Sequence, residues 1–363
     1  MPALLAALPS PPFQQLTLGP LNFRMYGLVI ALGVLAAVAI ARRRFSARGG
    51  DPEDITTVAI FAVPAGLVGA RIYHVITDFG DRYSDGRWWP DAFFIWNGGL
   101  GIPGGVLLGA IVAIIACKRM KLDWRQVADA AAPAIPVAQA IGRLGNWFNQ
   151  ELYGRPTELF WGLEIDAPPA EYPPGTLFHP TFLYEALWNL MLAGLIVLGG
   201  RRVVLKPGRW FAVYVAGYGL GRLWVESLRI DFATEVLGFR VNTWISLFLI
   251  VGGLLWLFWK GSPVDTAATA ELAAGGDPLA RAAMPADQAA REEAALETAA
   301  SEDAALRDEV RADGTDGEAT DPDIVDERTD SPSTDSQTTD SRTTDPASAE
   351  EPEGSSQDAD AEK

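Results

Sequence analysis

Met25–Ala41 reads MYGLVIALGVLAAVAIA and runs straight into Arg42-Arg43-Arg44. A bilayer core about 30 Å thick takes roughly 20 largely apolar helical residues to cross. An uncharged stretch of this kind, closed by a block of arginines, is the pattern of a membrane span anchored at its cytoplasmic end. The same pattern recurs along the chain. Gly98–Cys117 and Val241–Trp259 carry no charge, Ile55–Thr77 is interrupted only by Arg71, and Thr181–Gly200 only by Glu185. Trp210–Leu228 contains Arg222 and Glu226. Val127–Asn146 is Ala-rich with Pro133, Pro136, Asp129 and Arg143, and reads as one kinked span, since membrane helices tolerate proline when neighbours satisfy the freed carbonyls. The expected fold is an all-α integral membrane protein of seven transmembrane helices.

Composition divides the chain in two. The 363 residues carry a net charge of −17, but Gly261–Lys363 alone holds 28 Asp and Glu against 7 Lys and Arg. All 12 Trp, 8 Tyr and 16 Phe precede that stretch. A segment so acidic and so poor in apolar bulk cannot bury enough surface to offset ordering. Residues 1–260 are therefore expected to form a membrane domain and 261–363 a disordered acidic cytoplasmic tail, with transient helix over Ala280–Val310. One cysteine and two histidines exclude a disulfide scaffold and give no metal site.

Orientation follows from basic loops. Arg42, Arg43, Arg44 and Arg48 follow the first span, Lys118, Arg119, Lys121 and Arg125 the third, and Arg201, Arg202, Lys206 and Arg209 the fifth. These loops are expected in the cytoplasm, with the N-terminus outside and the tail inside. The first residues, MPALLAALPSPP, lack the basic region of a cleaved signal peptide.

This topology collects most ionisable groups of the spans at the outer end: Arg24 and Tyr26, Arg71, Arg143, Glu185, and Arg222, Glu226 and Arg229. Only Asp129 falls at the other end. Charged groups within a membrane are costly and commonly line a functional cavity, and an excess of guanidinium there suits a phosphate-bearing ligand. GGLGIPGGVLLG over Gly98–Gly109 places Gly101, Gly105 and Gly109 at a helix-packing spacing. Gly98, Gly99 and Gly104 are also expected to let a lipid headgroup approach the backbone. The outer loops Asp78–Trp96, rich in Trp and Phe, and Gln150–Pro180 are long enough for a membrane-lying arm and a small extracytoplasmic head.

Gly142-Arg143-Leu144-Gly145-Asn146-Trp147-Phe148-Asn149-Gln150-Glu151-Leu152-Tyr153-Gly154 closely resembles the signature of the prolipoprotein diacylglyceryl transferase family. Tyr26-Gly27, Gly69-Ala70-Arg71, Trp96-Asn97-Gly98-Gly99, His179-Pro180 with Leu183-Tyr184-Glu185-Ala186, and Tyr218-Gly219 with Arg222, Glu226 and Arg229 resemble its other motifs in the same order. The resemblance covers roughly residues 20–260. It implies transfer of the diacylglyceryl group of phosphatidylglycerol to the thiol of the lipobox cysteine in a prolipoprotein signal peptide, at the outer face of the bacterial inner membrane. Glycerol phosphate leaves and a thioether forms, with no cofactor, no metal and no nucleic-acid partner.

Carried over position by position, Arg143 and Arg222 match the family's essential arginines, expected to hold the phosphate and stabilise its departure. Asn146 and Glu151 match its signature polar residues and are expected to orient them. Glu226 positions Arg222 or pairs with Arg143, and Tyr26 donates to phosphate or helps take the thiol proton. Catalysis is thus expected from Arg143, Arg222, Glu151 and Tyr26. Substrate binding is expected from Arg143, Asn146, Gly98, Gly99, Gly104, Arg71, Glu226 and Arg229, among membrane lipids. Many family members carry a histidine, assigned as base, where this chain has Pro103. His179, Glu151 and Tyr26 then become the candidate bases, or the leaving phosphate takes the proton, and neither histidine is expected to be essential. A transporter for an anionic solute is the alternative reading. Cys117, preceded by Ile114-Ile115-Ala116, is expected to be a core residue and not a lipidation site.

Overall fold

A computed structural model describes residues 7–19, 21–79, 92–94, 98–278 and 298. The loop stretch 80–91, Trp96 and Asn97, and the acidic sequence 279–297 and 299–363, including most of Ala280–Val310, lie outside the described residues. Nine helices are described: α1 (Met25–Ser46), α2 (Pro52–Thr77), α3 (Ile102–Arg119), α4 (Trp124–Ala131), α5 (Ala134–Asn149), α6 (Thr181–Gly200), α7 (Arg209–Glu226), α8 (Val241–Phe258) and α9 (Thr266–Ala273). Three two-stranded antiparallel pairs accompany them: β1 (Gln15–Leu18) with β2 (Leu21–Arg24), β3 (Leu163–Glu164) with β4 (Leu177–Phe178), and β5 (Glu235–Val236) with β6 (Phe239–Arg240).

α1, α2, α3, α6 and α8 are long and apolar enough to cross a bilayer. They remain apolar on the outside of the bundle: Leu35 is 67% exposed, Leu107 65% and Phe248 75%. An apolar surface of that extent has no place in water and is the lipid-facing surface of a multi-pass membrane protein. The expected single kinked span Val127–Asn146 is corrected: it is two helices, α4 and α5, interrupted at Ala132-Pro133. Pro133 has no N–H to donate, so the hydrogen-bond ladder of α4 cannot run through it, although Ala132 keeps helical backbone angles. Pro136 falls in the first turn of α5, where a missing N–H costs nothing.

Small residues bring the helices together. A side chain at Gly69 would strike the Gly104 carbonyl, and one at Gly66 would lie 3.3 Å from the Gly105 carbonyl, so α2 and α3 meet backbone to backbone. Gly33 of α1 faces the Ala138 carbonyl of α5, and Gly253 of α8 faces the Ala216 amide of α7.

The two ends of the bundle differ. At one end Arg42 pairs with Glu53, and Asp129 accepts hydrogen bonds from the Gly208 and Phe211 amides at 2.8 and 2.9 Å. Asp129 thus caps the start of α7, where unsatisfied amides and the helix dipole favour an anion. At the other end, residues 150–180 fold around β3 and β4 into a small unit with Leu163, Ile165, Phe178 and Phe182 at its centre. The N-terminal segment joins it: the Leu8 amide bonds the Gly162 carbonyl and Trp147 Nε1 donates to the Pro9 carbonyl at 3.0 Å.

A short helix, α9, follows residue 260. Asp265 caps α9 by accepting from the Ala268 amide, the Asp265 amide bonds the Val204 carbonyl at 2.9 Å, and the Val204 amide bonds Thr269 Oγ1 at 3.1 Å. The first residues assigned to the tail are therefore folded against the α6–α7 connection. The segment VDTAATAEL, unlike the sequence after it, combines an Asp cap with good helix formers.

Candidate active site

Arg143 and Asn146 are three residues apart on α5 and share a face. Arg143 Nη1 donates to Asn146 Oδ1 at 3.2 Å. The Asn146 amide passes on to Glu151 Oε1 at 2.9 Å, and Asn149 Nδ2 donates to the same oxygen at 3.1 Å. Gln150, at φ +53°, ends α5 and turns the chain back so that Glu151 lies under its own helix. The signature read from the sequence is therefore a folded loop in which the last turn of α5 holds one carboxylate with two amides.

Glu185, in the second turn of α6 and buried, links α5 to α7. Its Oε1 pairs with Arg143 Nη2 and its Oε2 with Arg222 Nη1 at 3.2 Å. Arg222 Nη2 meets Glu226 Oε2 at 2.9 Å one turn along α7. Glu226, also buried, receives Arg240 Nε at 2.7 Å and Asn242 Nδ2 at 3.2 Å, with Arg229 Nη1 at 3.7 Å. Arg229 closes the series with a two-pronged pair to Asp231, at 2.7 and 2.8 Å, to which Arg240 adds a third bond at 3.1 Å. Four guanidiniums and four carboxylates, Glu151 included, so run in one network across α5, α6, α7 and the start of α8. Opposite charges pair from Arg143 to Arg240, with Glu151 joined through the Asn146 amide, which is how buried ions are tolerated. Beyond the helix ends, burial disfavours the Asp231 charge, but the bonds and charges of Arg229 and Arg240 outweigh it and hold its carboxyl below the usual carboxylate range.

Tyr26, at the start of α1, lays its ring against Gly145, where a Cβ would stand 2.6 Å from it, and lies within electrostatic reach of Glu151 and Arg143. Tyr218 sits one turn before Arg222 and lies within electrostatic reach of Arg143. Arg143, Asn146, Glu151, Tyr26, Arg222, Glu226 and Arg229 are thus brought together. Arg71 is placed differently. It is buried and its Nε donates to the Ala92 carbonyl at 2.8 Å, while Nη1 donates to the Gly98 and Gly99 carbonyls at 2.5 and 2.9 Å, so it braces the segment leading into α3. Gly98 and Gly99 have φ of +87° and +81°, which side chains resist. The close approach expected of Gly104 to a headgroup is taken by α2, through the Gly69 carbonyl and Tyr73 Cβ. His179 Nδ1 contacts the Tyr184 hydroxyl at 3.1 Å, which also accepts from Trp161 Nε1 at 2.9 Å, within the small β3–β4 unit.

Sequence reading did not single out Arg240, Asn242 or Asp231, and placed Glu185 at the outer end and within a family motif without giving it a role. The available signal was position: Arg240 and Asn242 flank the start of the last apolar stretch, at the end that collects the other ions. Beside the network, between the end of α7, the β5–β6 hairpin and the start of α8, lies a cavity of about 590 Å³. Its lining combines Arg155, Arg229 and Arg240 with the carboxylates Glu226 and Glu235, and the apolar Leu220, Trp224 and Phe239.

Such a bundle, with a buried arginine–carboxylate network at one end beside an amphipathic cavity, defines a multi-pass membrane protein equipped to handle an anionic, lipid-like group. The family model described as prolipoprotein diacylglyceryl transferase matches residues 14–259, and the chain belongs to that family. A Streptomyces griseus protein named phosphatidylglycerol--prolipoprotein diacylglyceryl transferase is 49% identical over 253 residues, covering 70% of this chain and 77% of its own length. Streptomyces coelicolor and Bifidobacterium adolescentis proteins so named, the former numbered 2, are 52% and 46% identical over 69% of this chain and 80% and 79% of theirs.

Proposed function

We propose that this chain transfers the diacylglyceryl group of phosphatidylglycerol to the lipobox cysteine thiol of a prolipoprotein signal peptide, forming a thioether and releasing glycerol phosphate. The observation that carries the reading is the Glu185 carboxylate shared by Arg143 and Arg222, in a chain whose relatives are named for this reaction. Two guanidiniums held by one buried carboxylate are preorganised to exchange that partner for a phosphate, whose negative charge grows as the carbon–oxygen bond breaks. Arg143 and Arg222 hold and stabilise the leaving phosphate. Asn146 and Glu151 keep Arg143 in position, and Tyr26 donates to a phosphate oxygen. Glu226 orients Arg222, with Arg229 and Arg240 behind it. The neighbouring cavity suits the lipid, its arginines facing the headgroup and its apolar wall the glyceryl and acyl region.

The membrane arrangement is part of the same reading. It counts seven passages, with the α4–α5 pair as one and α7 as another, and takes the ion network and the β3–β4 head to lie on the outer side of the inner membrane. The N-terminus is then outside and the arginine-flanked loops and acidic tail are in the cytoplasm. The tail beyond α9 takes no part in the chemistry, and no cofactor, metal or nucleic acid is needed. The direct test is to incubate purified protein with phosphatidylglycerol and a lipobox peptide and to follow glycerol phosphate. Release that depends on the peptide cysteine supports transfer. Release equal with a Cys-to-Ser peptide, or transport of anionic solute in liposomes without product, overturns it.

A further inference from the structure

The reading above has a phosphate take the place of Glu185 between Arg143 and Arg222. A site built that way must also house the carboxylate it displaces. A buried carboxylate stripped of its cations is strongly disfavoured unless other donors meet it. The space enclosed by Arg143, Asn146, Glu185, Val225 and Arg229 is too small for a water molecule, so a phosphate enters there only if Glu185 moves.

Asn189 lies one turn further along α6. It is wholly buried, and among the described residues neither its Nδ2 nor its Oδ1 has a hydrogen-bond partner. Buried amides are ordinarily satisfied, because burial strips them of water. Residues four apart share a helix face, with Cβ atoms about 5–6 Å apart. Side chains on a helix lean toward its N-terminus, so the Asn189 amide lies over the turn that carries Glu185.

The same depth is polar on the neighbouring helices. Gln139 stands one turn before Arg143 on α5, and Tyr218 one turn before Arg222 on α7. Gln139 Oε1 is likewise buried without a partner among the described residues, and Tyr218 lies within electrostatic reach of Glu185. Trp188 Nε1 donates to the Gly217 carbonyl at 2.9 Å, which ties α6 to α7 at this level. Each helix of the Arg143–Glu185–Arg222 bridge thus carries a polar side chain one turn deeper in the bundle.

We infer that Asn189 is a positioning residue that receives Glu185 when phosphate binds, an inference that rests on the phosphate reading of the two arginines. Before the lipid arrives, Glu185 neutralises Arg143 and Arg222, and the Asn189 amide is idle. As the phosphate reaches the arginines, the Glu185 carboxylate turns along α6 and accepts a hydrogen bond from Asn189 Nδ2. Its charge is then held by a donor one turn from the cations. When glycerol phosphate leaves, Glu185 returns to the arginines and opposes rebinding. Asn189 itself touches neither lipid nor thiol.

The test titrates wild type, Asn189→Leu and Asn189→Ala in detergent with phosphatidylglycerol and with diacylglycerol, which lacks the phosphate. Unfolding temperatures are recorded without added lipid. Asn189→Leu is expected to unfold at or above the wild-type temperature, because it removes a buried amide that has no partner. It should bind phosphatidylglycerol about 10–100-fold more weakly, the range for losing one hydrogen bond to a charged group, with diacylglycerol binding unchanged. Turnover should follow as a raised KM with little change in kcat. Unchanged phosphatidylglycerol affinity overturns the inference, and a lowered unfolding temperature beside it would assign the amide to the fold. Equal weakening toward both lipids overturns it as well. Should Asn189→Leu fail to fold, Asn189→Ala decides through the ratio of the two affinities. Wild type that binds both lipids alike removes the phosphate site and this inference together. Wild type that prefers phosphatidylglycerol but yields no product overturns the transfer reading alone.

Discussion

Arg143 and Arg222 are joined through the two oxygens of one carboxylate, Glu185, which is almost wholly buried. Neither arginine is placed by its own helix alone. Arg143 is also tied to Asn146, and Arg222 to Glu226. This geometry holds two cations at a fixed separation, and on the proposed reading a phosphate takes the place of Glu185 between them.

Loss of either arginine therefore removes charge stabilisation at the leaving group. Arg143→Ala and Arg222→Ala should each lower kcat by about 10²–10³-fold, the range for removing one preorganised donor. Arg143→Lys should recover little, because an ammonium cannot reproduce the forked contact with Asn146 and Glu185. Single-turnover rates at saturating lipid measure this directly.

Glu185→Gln should act first on stability. It leaves two buried guanidiniums without their shared counter-charge, and breaking a buried pair from one side costs about 3–5 kcal/mol. Thermal unfolding in detergent should show a clearly lowered transition. An unchanged transition would mean that the arginines find other partners without cost.

Asp231 gives the fold an acid-side dependence. Its carboxyl titrates below its unfolded value, ordinarily about 3.9. The stability it contributes is therefore complete above that unfolded value and is lost as pH falls through the lower folded one. Stability curves of the wild type and Asp231→Asn should differ most near neutrality and converge in acid. Parallel curves down to acid pH would contradict the Arg229–Asp231–Arg240 linkage.

Asp129→Ala should destabilise without touching chemistry. It strands the buried Gly208 amide, worth about 1–3 kcal/mol when left unpaired, and the half-buried Phe211 amide. The unfolding transition should fall while the rate per folded molecule stays at the wild-type value.

Truncation separates α9 from the acidic sequence after it. Ending the chain at Pro278 should leave both unfolding temperature and turnover unchanged. Ending it at Ser262 removes the bonds from Asp265 and Thr269 to Val204 and should lower the unfolding temperature. Equal behaviour of the two truncations would show that α9 adds nothing to the fold.

Much of this was legible in the residues. Hydropathy alone finds α1, α2, α3, α6 and α8, because a lipid-facing helix must be apolar over its whole length. It merges α4 and α5, since the break at Ala132-Pro133 depends on which carbonyls find partners, a tertiary matter. Placing each charge by helix direction gathers Arg143, Glu185, Arg222 and Glu226 at one end, and their contacts bear this out. Arg71 obeys the same rule yet braces backbone carbonyls, because its role is set by the folded-back Gly98–Gly99 segment, which no spacing rule shows. Asp129, the exception to the charge pattern, is explained only once α7 is seen to start against it.

The most direct test is mass spectrometry of a lipobox peptide incubated with phosphatidylglycerol and either the wild-type protein or Arg143→Ala. The account predicts a diacylglyceryl mass gain on the peptide cysteine with the wild type, matched by glycerol phosphate and lost with the folded variant. An unmodified peptide from folded wild type, or equal product from Arg143→Ala, would contradict it.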